Sequence, residues 1–68
     1  MKMRWNIGTL ILPEKSTEKS PYAVIVDYNN ENGTYWLVIQ RQDERETREI
    51  SEFALERWEF EYGHRFID

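Results

Sequence analysis

The chain has 68 residues, one histidine and no cysteine, so its length predicts one domain, residues 1–68, and excludes disulfides. Its formal net charge is −4, and the excess falls in residues 35–68, where nine acidic residues stand against five arginines. This distribution disfavours bulk binding to phosphate backbones and favours a protein partner, in particular a basic one.

Aromatic residues are the main source of buried area that the composition offers. Three Trp, four Tyr and three Phe make up 15% of the chain, and each such side chain can bury about 150–250 Å². No apolar run is long enough for a signal peptide or a membrane span, so we expect a cytoplasmic protein with no membrane contact.

The first predicted strand covers residues 3–12. Gly8 interrupts this apolar run, which predicts a bend or a bulge, and Pro13 ends it because proline cannot donate to a strand ladder. Residues 14–21 contain no apolar side chain before the closing Pro21, and they predict a solvated loop.

Two runs rich in β-branched and aromatic residues, 22–28 and 34–40, flank a polar turn that ends in Asn32 and Gly33. This pattern predicts a β-hairpin. A three-residue loop, 31–33, with Gly33 left-handed would pair Tyr28 with Trp36 and Val26 with Val38. Both faces of such a hairpin are apolar, which favours a sharply curved sheet or a barrel.

The predicted hairpin faces differ in their members. One face would carry Val24, Val26, Tyr28, Trp36 and Val38, and the other Ala23, Ile25, Leu37 and Ile39. Register decides this division, since a slip of one residue turns every side chain to the opposite face.

The charged segment 42–49 predicts a turn followed by a short strand through residues 47–50. Ser51 is typical of a helix N-cap, and a short helical turn is expected over residues 51–57. Trp58, Phe60 and Tyr62 then alternate with glutamates, which predicts a strand with those rings in the core. One continuous helix over residues 51–62 is the alternative, and residues 66–67 could form a last strand.

The order of strand, long loop, hairpin, short strand, helical turn and strand resembles the small SH3-like barrel superfold in its Tudor and KOW-like variants. Gly8, the hairpin of residues 22–42 and the segment 49–56 carry the resemblance. It implies a mostly β protein: a small antiparallel SH3-like barrel of about five strands with one short helical turn near residues 51–57. The superfold hosts many functions, so the resemblance assigns none.

Catalytic and metal-binding patterns are weak. The chain has no cysteine nucleophile, and His64 has no serine or aspartate partner in a recognisable context. Glu61 and His64 have the spacing of some metal ligands, but the pattern occurs once, and His64 is interpreted as a surface residue. We therefore expect no enzymatic activity, no cofactor and no metal site.

Tudor-like barrels bind methylated lysine or arginine between aromatic rings near the hairpin ends. The resemblance therefore makes Asp27, Tyr28, Tyr35 and Trp36 candidate partner-binding residues. Packing of Tyr28 against Trp36 across the strands is the structural alternative.

A second candidate surface is acidic and consists of Glu52, Glu56, Glu59 and Glu61. We expect a non-enzymatic interaction module that binds a protein partner through this acidic face or through the aromatic end of the hairpin. Two alternatives stay open: a nucleic-acid accessory module that uses Arg41, Arg45 and Arg48, and a small acidic inhibitor or nucleic-acid mimic from a phage or mobile element. Monomer and homodimer are both possible states.

Overall fold

The computed structural model of the chain describes residues 3–15, 17 and 20–68. They form a single sheet and one helix, in the order β1 (Leu10–Leu12), β2 (Tyr22–Asn29), β3 (Thr34–Gln40), β4 (Arg45–Ser51), α1 (Glu52–Phe60) and β5 (Arg65–Ile67). All strand pairs are antiparallel, and the strand order across the sheet is β4-β3-β2-β1-β5. The predicted mostly β class is confirmed, and the sheet is compatible with a small barrel-like fold.

The turn between β2 and β3 is one residue longer than predicted and covers residues 30–33. The Asn29 side-chain oxygen accepts the backbone N–H groups of Glu31 at 3.0 Å and Asn32 at 3.3 Å. The Gly33 N–H donates to the Asn29 carbonyl at 2.9 Å, and Gly33 has the predicted left-handed φ, at 66°. The asparagine that opens the turn therefore sets its length through its own side chain.

The longer turn changes the hairpin register. Tyr28 pairs with Tyr35, and Asp27 pairs with Trp36, so the predicted pairing of Tyr28 with Trp36 is wrong. The Tyr28 and Tyr35 rings pack with centroids 4.7 Å apart.

A β-bulge at Val26 shifts the register a second time. Beyond it, Ile25 pairs with Leu37 and Val24 pairs with Val38, so the predicted pair of Val26 and Val38 is also wrong. The bulge leaves Val26 and Asp27 both exposed in succession, and Tyr28 packs against the core.

The two faces of the hairpin differ in burial. Ala23, Ile25, Leu37 and Ile39 are all buried, as a shared face predicts. On the other face Val26 and Trp36 are exposed. The hairpin is therefore buried on one side rather than on both.

The first strand is shorter than predicted, because only the last three residues of the apolar run belong to β1. Gly8 has a φ of 98°, which confirms the predicted bend. Its N–H donates to the Ile25 carbonyl at 2.7 Å, and the Ile25 N–H donates to the Thr9 carbonyl at 3.0 Å. The chain thus stays beside β2 before β1 begins.

The predicted loop of residues 14–21 is described only in part, since Ser16, Glu18 and Lys19 lie outside the described residues. Within its described part there is no helix or strand.

Helix α1 follows β4 directly and extends further than predicted. The Ser51 hydroxyl accepts the Ala54 N–H at 3.2 Å, which confirms the N-cap. The predicted strand beginning at Trp58 is wrong, because helix continues to Phe60 and the alternative of one longer helix is closer to the structure. The short last strand forms as β5 and pairs with β1.

The core lies between one face of the sheet and α1, and its buried side chains are Trp5, Thr9, Ile11, Ala23, Ile25, Tyr35, Leu37, Ile39, Ile50 and Leu55. The segment before β1 closes one end of it. Trp5 stacks on Phe66 with centroids 4.7 Å apart and meets Tyr35 edge-on at 5.4 Å.

Candidate functional site

Helix α1 exposes two phenylalanine rings on one side, which distinguishes it from an ordinary surface helix. Successive residues advance by about 100° around an α-helix, so Phe53, Arg57 and Phe60 share one side. Leu55 is fully buried on the opposite side, and Trp58 packs against the core. The helix therefore carries rings on both its inner and its outer side.

The outer rings are among the most exposed large apolar side chains in the described part of the chain. Phe53 and Phe60 are each 72% exposed, and Tyr62, just after the helix, is 58% exposed. The prediction that Phe60 and Tyr62 belong to the core is therefore wrong. Two strongly exposed phenylalanines on one helix side are unusual in a monomeric soluble domain and are typical of an interaction surface.

The predicted acidic residues lie on and just after this helix, and most of them have partners. Arg4 forms an ion pair with Glu56 and a second with Glu59 at 3.5 Å. Arg57 pairs with Glu61 at 3.1 Å, and this carboxylate raises the pKa of the Arg57 guanidinium.

Glu52 has a different environment, since its carboxylate accepts the Tyr35 hydroxyl at 3.4 Å. The four carboxylates and two guanidiniums together leave a formal charge of about −2. The acidic face therefore carries a moderate net negative charge, and it flanks the exposed rings. We call this surface, made of Phe53, Phe60, Tyr62 and the six charged side chains, the helix face.

The structure divides the aromatic hairpin residues between two sides of the sheet. Asp27 and Trp36 pair on the outer side, where Trp36 is 37% exposed. Tyr35 is fully buried, and Tyr28 packs against the core. An open depression at the turn brings Asp27, Tyr28 and Trp36 together, but Tyr35 does not line it.

The environment of Tyr35 is that of a core residue that stabilises the fold. Its hydroxyl accepts the backbone N–H groups of Arg4 at 2.8 Å and Trp5 at 3.4 Å. Burial raises the pKa of Tyr35 above its usual 10.0, although the two backbone hydrogen bonds act in the opposite direction. The Tyr35 hydroxyl therefore holds the N-terminal segment against β3. The ring itself is buried, so it cannot contact a ligand.

The three arginines of the nucleic-acid alternative lie around the β3–β4 turn. Arg41 and Arg48 both pair with Glu46, at 2.8 Å and 2.5 Å, and Arg45 donates to the Gln40 amide oxygen at 3.2 Å. Hydrogen bonds from Arg41 and then Arg48 lower the pKa of Glu46.

His64 differs from the surface histidine that was predicted. It is half-buried, its ring lies 5.5 Å from that of Trp58, and its backbone N–H donates to the Trp58 carbonyl at 3.0 Å. Within the described residues its Nδ1 atom is buried and has no hydrogen-bond partner. No sequence signal indicates this environment, because it depends on where α1 ends.

Sequence reasoning missed the helix face as a surface that combines rings with charge. The signal was present in the spacing of Phe53, Arg57 and Phe60, which are neighbours on a helix and not on a strand. Interpreting residues 58–62 as a strand concealed it.

Neither a metal site nor a membrane-spanning helix is present in the described part of the chain. Among the described residues, no group of three or more His, Cys, Asp or Glu side chains is arranged to hold a metal ion. The described helix is too short and too polar to cross a membrane.

Comparisons with known proteins give no relative. No family model matches the chain, and no curated protein or solved structure is significantly similar to it. Functional inference therefore depends on the chemistry of the surface alone.

Proposed function

We propose that this protein is a non-enzymatic interaction module that binds a protein partner through the helix face. The observation that carries the proposal is the 72% exposure of both Phe53 and Phe60 on one side of α1. A small domain needs its aromatic rings for its core, and rings that stay in water contribute nothing to its stability, so their exposure favours a role in binding another molecule.

The composition of the helix face agrees with that of a protein interface. Exposed aromatic rings form the centre, and charged side chains surround them, which is the usual division between an apolar interface core and a polar rim. Arg4 lies 4.9 Å from the Trp5 ring centroid and 5.7 Å from that of Phe60, so it links the rim to the rings.

The charge of the rim favours a partner with a basic border around an apolar groove. Glu52, Glu56, Glu59 and Glu61 exceed Arg4 and Arg57 by two charges. Such complementarity raises the association rate more than the affinity, so binding should weaken with added salt mainly through slower association.

The SH3-like assignment is part of this proposal. The observed element order and the position of β1 between β2 and β5 support it. Small barrels of this kind present surfaces on a rigid scaffold, which suits a binding module.

The experiment uses the parent protein and its variants as baits in a pull-down from native extract. The affinity of each for the purified, identified partner is then measured. Phe53→Ala and Phe60→Ala should abolish binding while the fold persists, because alanine is the better helix former at an exposed position. Trp36→Ala on the outer sheet face is the matched control and should bind like the parent protein. Capture of nucleic acid alone, or equal binding by all variants, would contradict the proposal.

Light scattering across concentration separates a foreign partner from self-association. A homodimer that dissociates in the Phe53→Ala variant would assign the helix face to a second copy of this chain and overturn the proposed partner. The expected result is a monomer in the absence of the partner.

A further inference from the structure

A second site lies on the core side of the sheet, away from the Tyr28 and Tyr35 rings beside the hairpin turn. It is a pocket of about 160 Å³ lined by residues that include Ile11, Ala23 and Ile39. These three residues are direct neighbours across β1, β2 and β3. The alanine between two isoleucines leaves the space, and we call the cavity the Ala23 pocket.

Arg41 and Arg48 also line the Ala23 pocket. Glu46, the cross-strand neighbour of Ile39, uses both carboxylate oxygens to hold them, with Oε2 on Arg41 and Oε1 on Arg48. The three side chains leave one net positive charge. Each guanidinium has five N–H donors, so donors remain for another acceptor.

Tyr22, Trp58 and His64 supply the other polar atoms of the lining. His64 is the one among them with an unusual environment. Its buried Nδ1 lacks a partner within the described residues, which is uncommon for a buried polar atom. None of the described residues that line the pocket is acidic. The lining therefore combines an apolar floor, one indole and cationic or donating groups.

We propose that the Ala23 pocket binds a small organic carboxylate whose apolar part is a single ring or a branched alkyl group. Cavities of roughly this volume lined by aliphatic side chains accept a molecule the size of benzene. Arginine is the side chain best suited to hold a carboxylate through paired hydrogen bonds. An apolar cavity with a few convergent polar groups is the usual form of a small-molecule site.

The test uses the full chain and phenylacetate as the probe, followed by two-dimensional NMR. The three tryptophans report on three places, because Trp58 lines the pocket, Trp5 lies in the core and Trp36 lies on the outer face. Phenylacetate should shift the Trp58 indole N–H signal saturably, with a Kd on the order of 1 mM, and leave the other two unchanged.

Phenylacetamide has the same shape without the charge and should bind about tenfold more weakly. Equal shifts with the two probes would overturn the proposal, and so would shifts shared by all three indoles or no shift at all.

Variants separate the charge from the shape of the pocket. Arg48→Gln should weaken phenylacetate binding about tenfold, and Glu46→Gln should tighten it, because it frees both guanidiniums from their carboxylate. Arg45→Gln, an equivalent change at an arginine that does not line the pocket, is the matched control and should bind like the parent protein. Ala23→Val adds two methyl groups to the pocket floor, so it should narrow the pocket and weaken phenylacetate binding about tenfold. Unchanged binding in that variant would contradict the assigned location.

Discussion

The two ends of the core are built on the same strands and are covered in different ways. At the closed end, next to the hairpin turn, the rings of Trp5, Tyr28 and Tyr35 pack together. At the open end, Ala23 lies beneath a pocket with Arg41 and other polar groups at its border.

Stability and binding capacity reside in different parts of the core. Rings at the closed end bury area and leave no space, so changes there should act on folding. At the open end, Ala23 leaves space that a larger side chain would fill, and the arginines keep unused N–H donors. Changes there should therefore alter ligand binding.

Trp5→Ala should have the largest effect. The change removes a buried ring that contacts both Phe66 and Tyr35, which costs about 3–5 kcal/mol of unfolding free energy. A domain of this size has a total stability of roughly 3–10 kcal/mol, so the variant should be largely unfolded by circular dichroism at 25 °C. Trp36→Ala on the outer face is the control; if it destabilises as much, the closed end is not special.

Tyr35→Phe should have the next largest effect. It leaves the N–H groups of Arg4 and Trp5 without their acceptor, and an unsatisfied buried donor costs about 1–3 kcal/mol. Urea unfolding should show a lower midpoint with an unchanged slope. A midpoint equal to that of the parent protein would mean that this hydroxyl does not fix the N-terminal segment.

Ala23→Val should act in the opposite direction at the open end. Added methyl groups enter existing space, and each buried group of this size contributes about 0.8 kcal/mol. We expect a gain of about 1 kcal/mol in the same urea experiment. A loss of stability would show that the pocket is not free to accept a side chain.

Acid titration should have the smallest effect. The pKa of Glu46 is lower in the folded protein than its usual 4.5, so its contribution is present above that pH and is lost as pH falls through the folded pKa. The stability difference between the parent protein and Glu46→Gln should be constant above about pH 5 and shrink below it. A difference that is independent of pH would show that the two arginines do not hold this carboxylate.

Much of the fold was accessible from the sequence for local reasons. β-branched runs around Asn32 and Gly33 specify a hairpin, and Ser51 specifies a helix start, because these depend on nearby residues only. The closing strand was misplaced because residues 58–62 satisfy the strand alternation as well as they satisfy a helix that tolerates exposed rings.

The register and the pocket were not accessible for a different reason. The bulge at Val26 lies in a run of aliphatic residues that fits either face equally well, so nothing local marks it. The Ala23 pocket needs the alignment of Ile11, Ala23 and Ile39 on three strands, which only the folded sheet provides.

The contrast between the closed and open ends can be measured directly with isoleucine methyl signals under xenon pressure. Ile11 and Ile39 line the pocket, whereas Ile25 and Ile50 are buried in the core and do not line it. Xenon enters apolar cavities of this size. We expect saturable shifts of the Ile11 and Ile39 methyl signals alone. Equal shifts of all four signals, or shifts confined to Ile25 and Ile50, would show that the pocket is not where the open end of the core is placed.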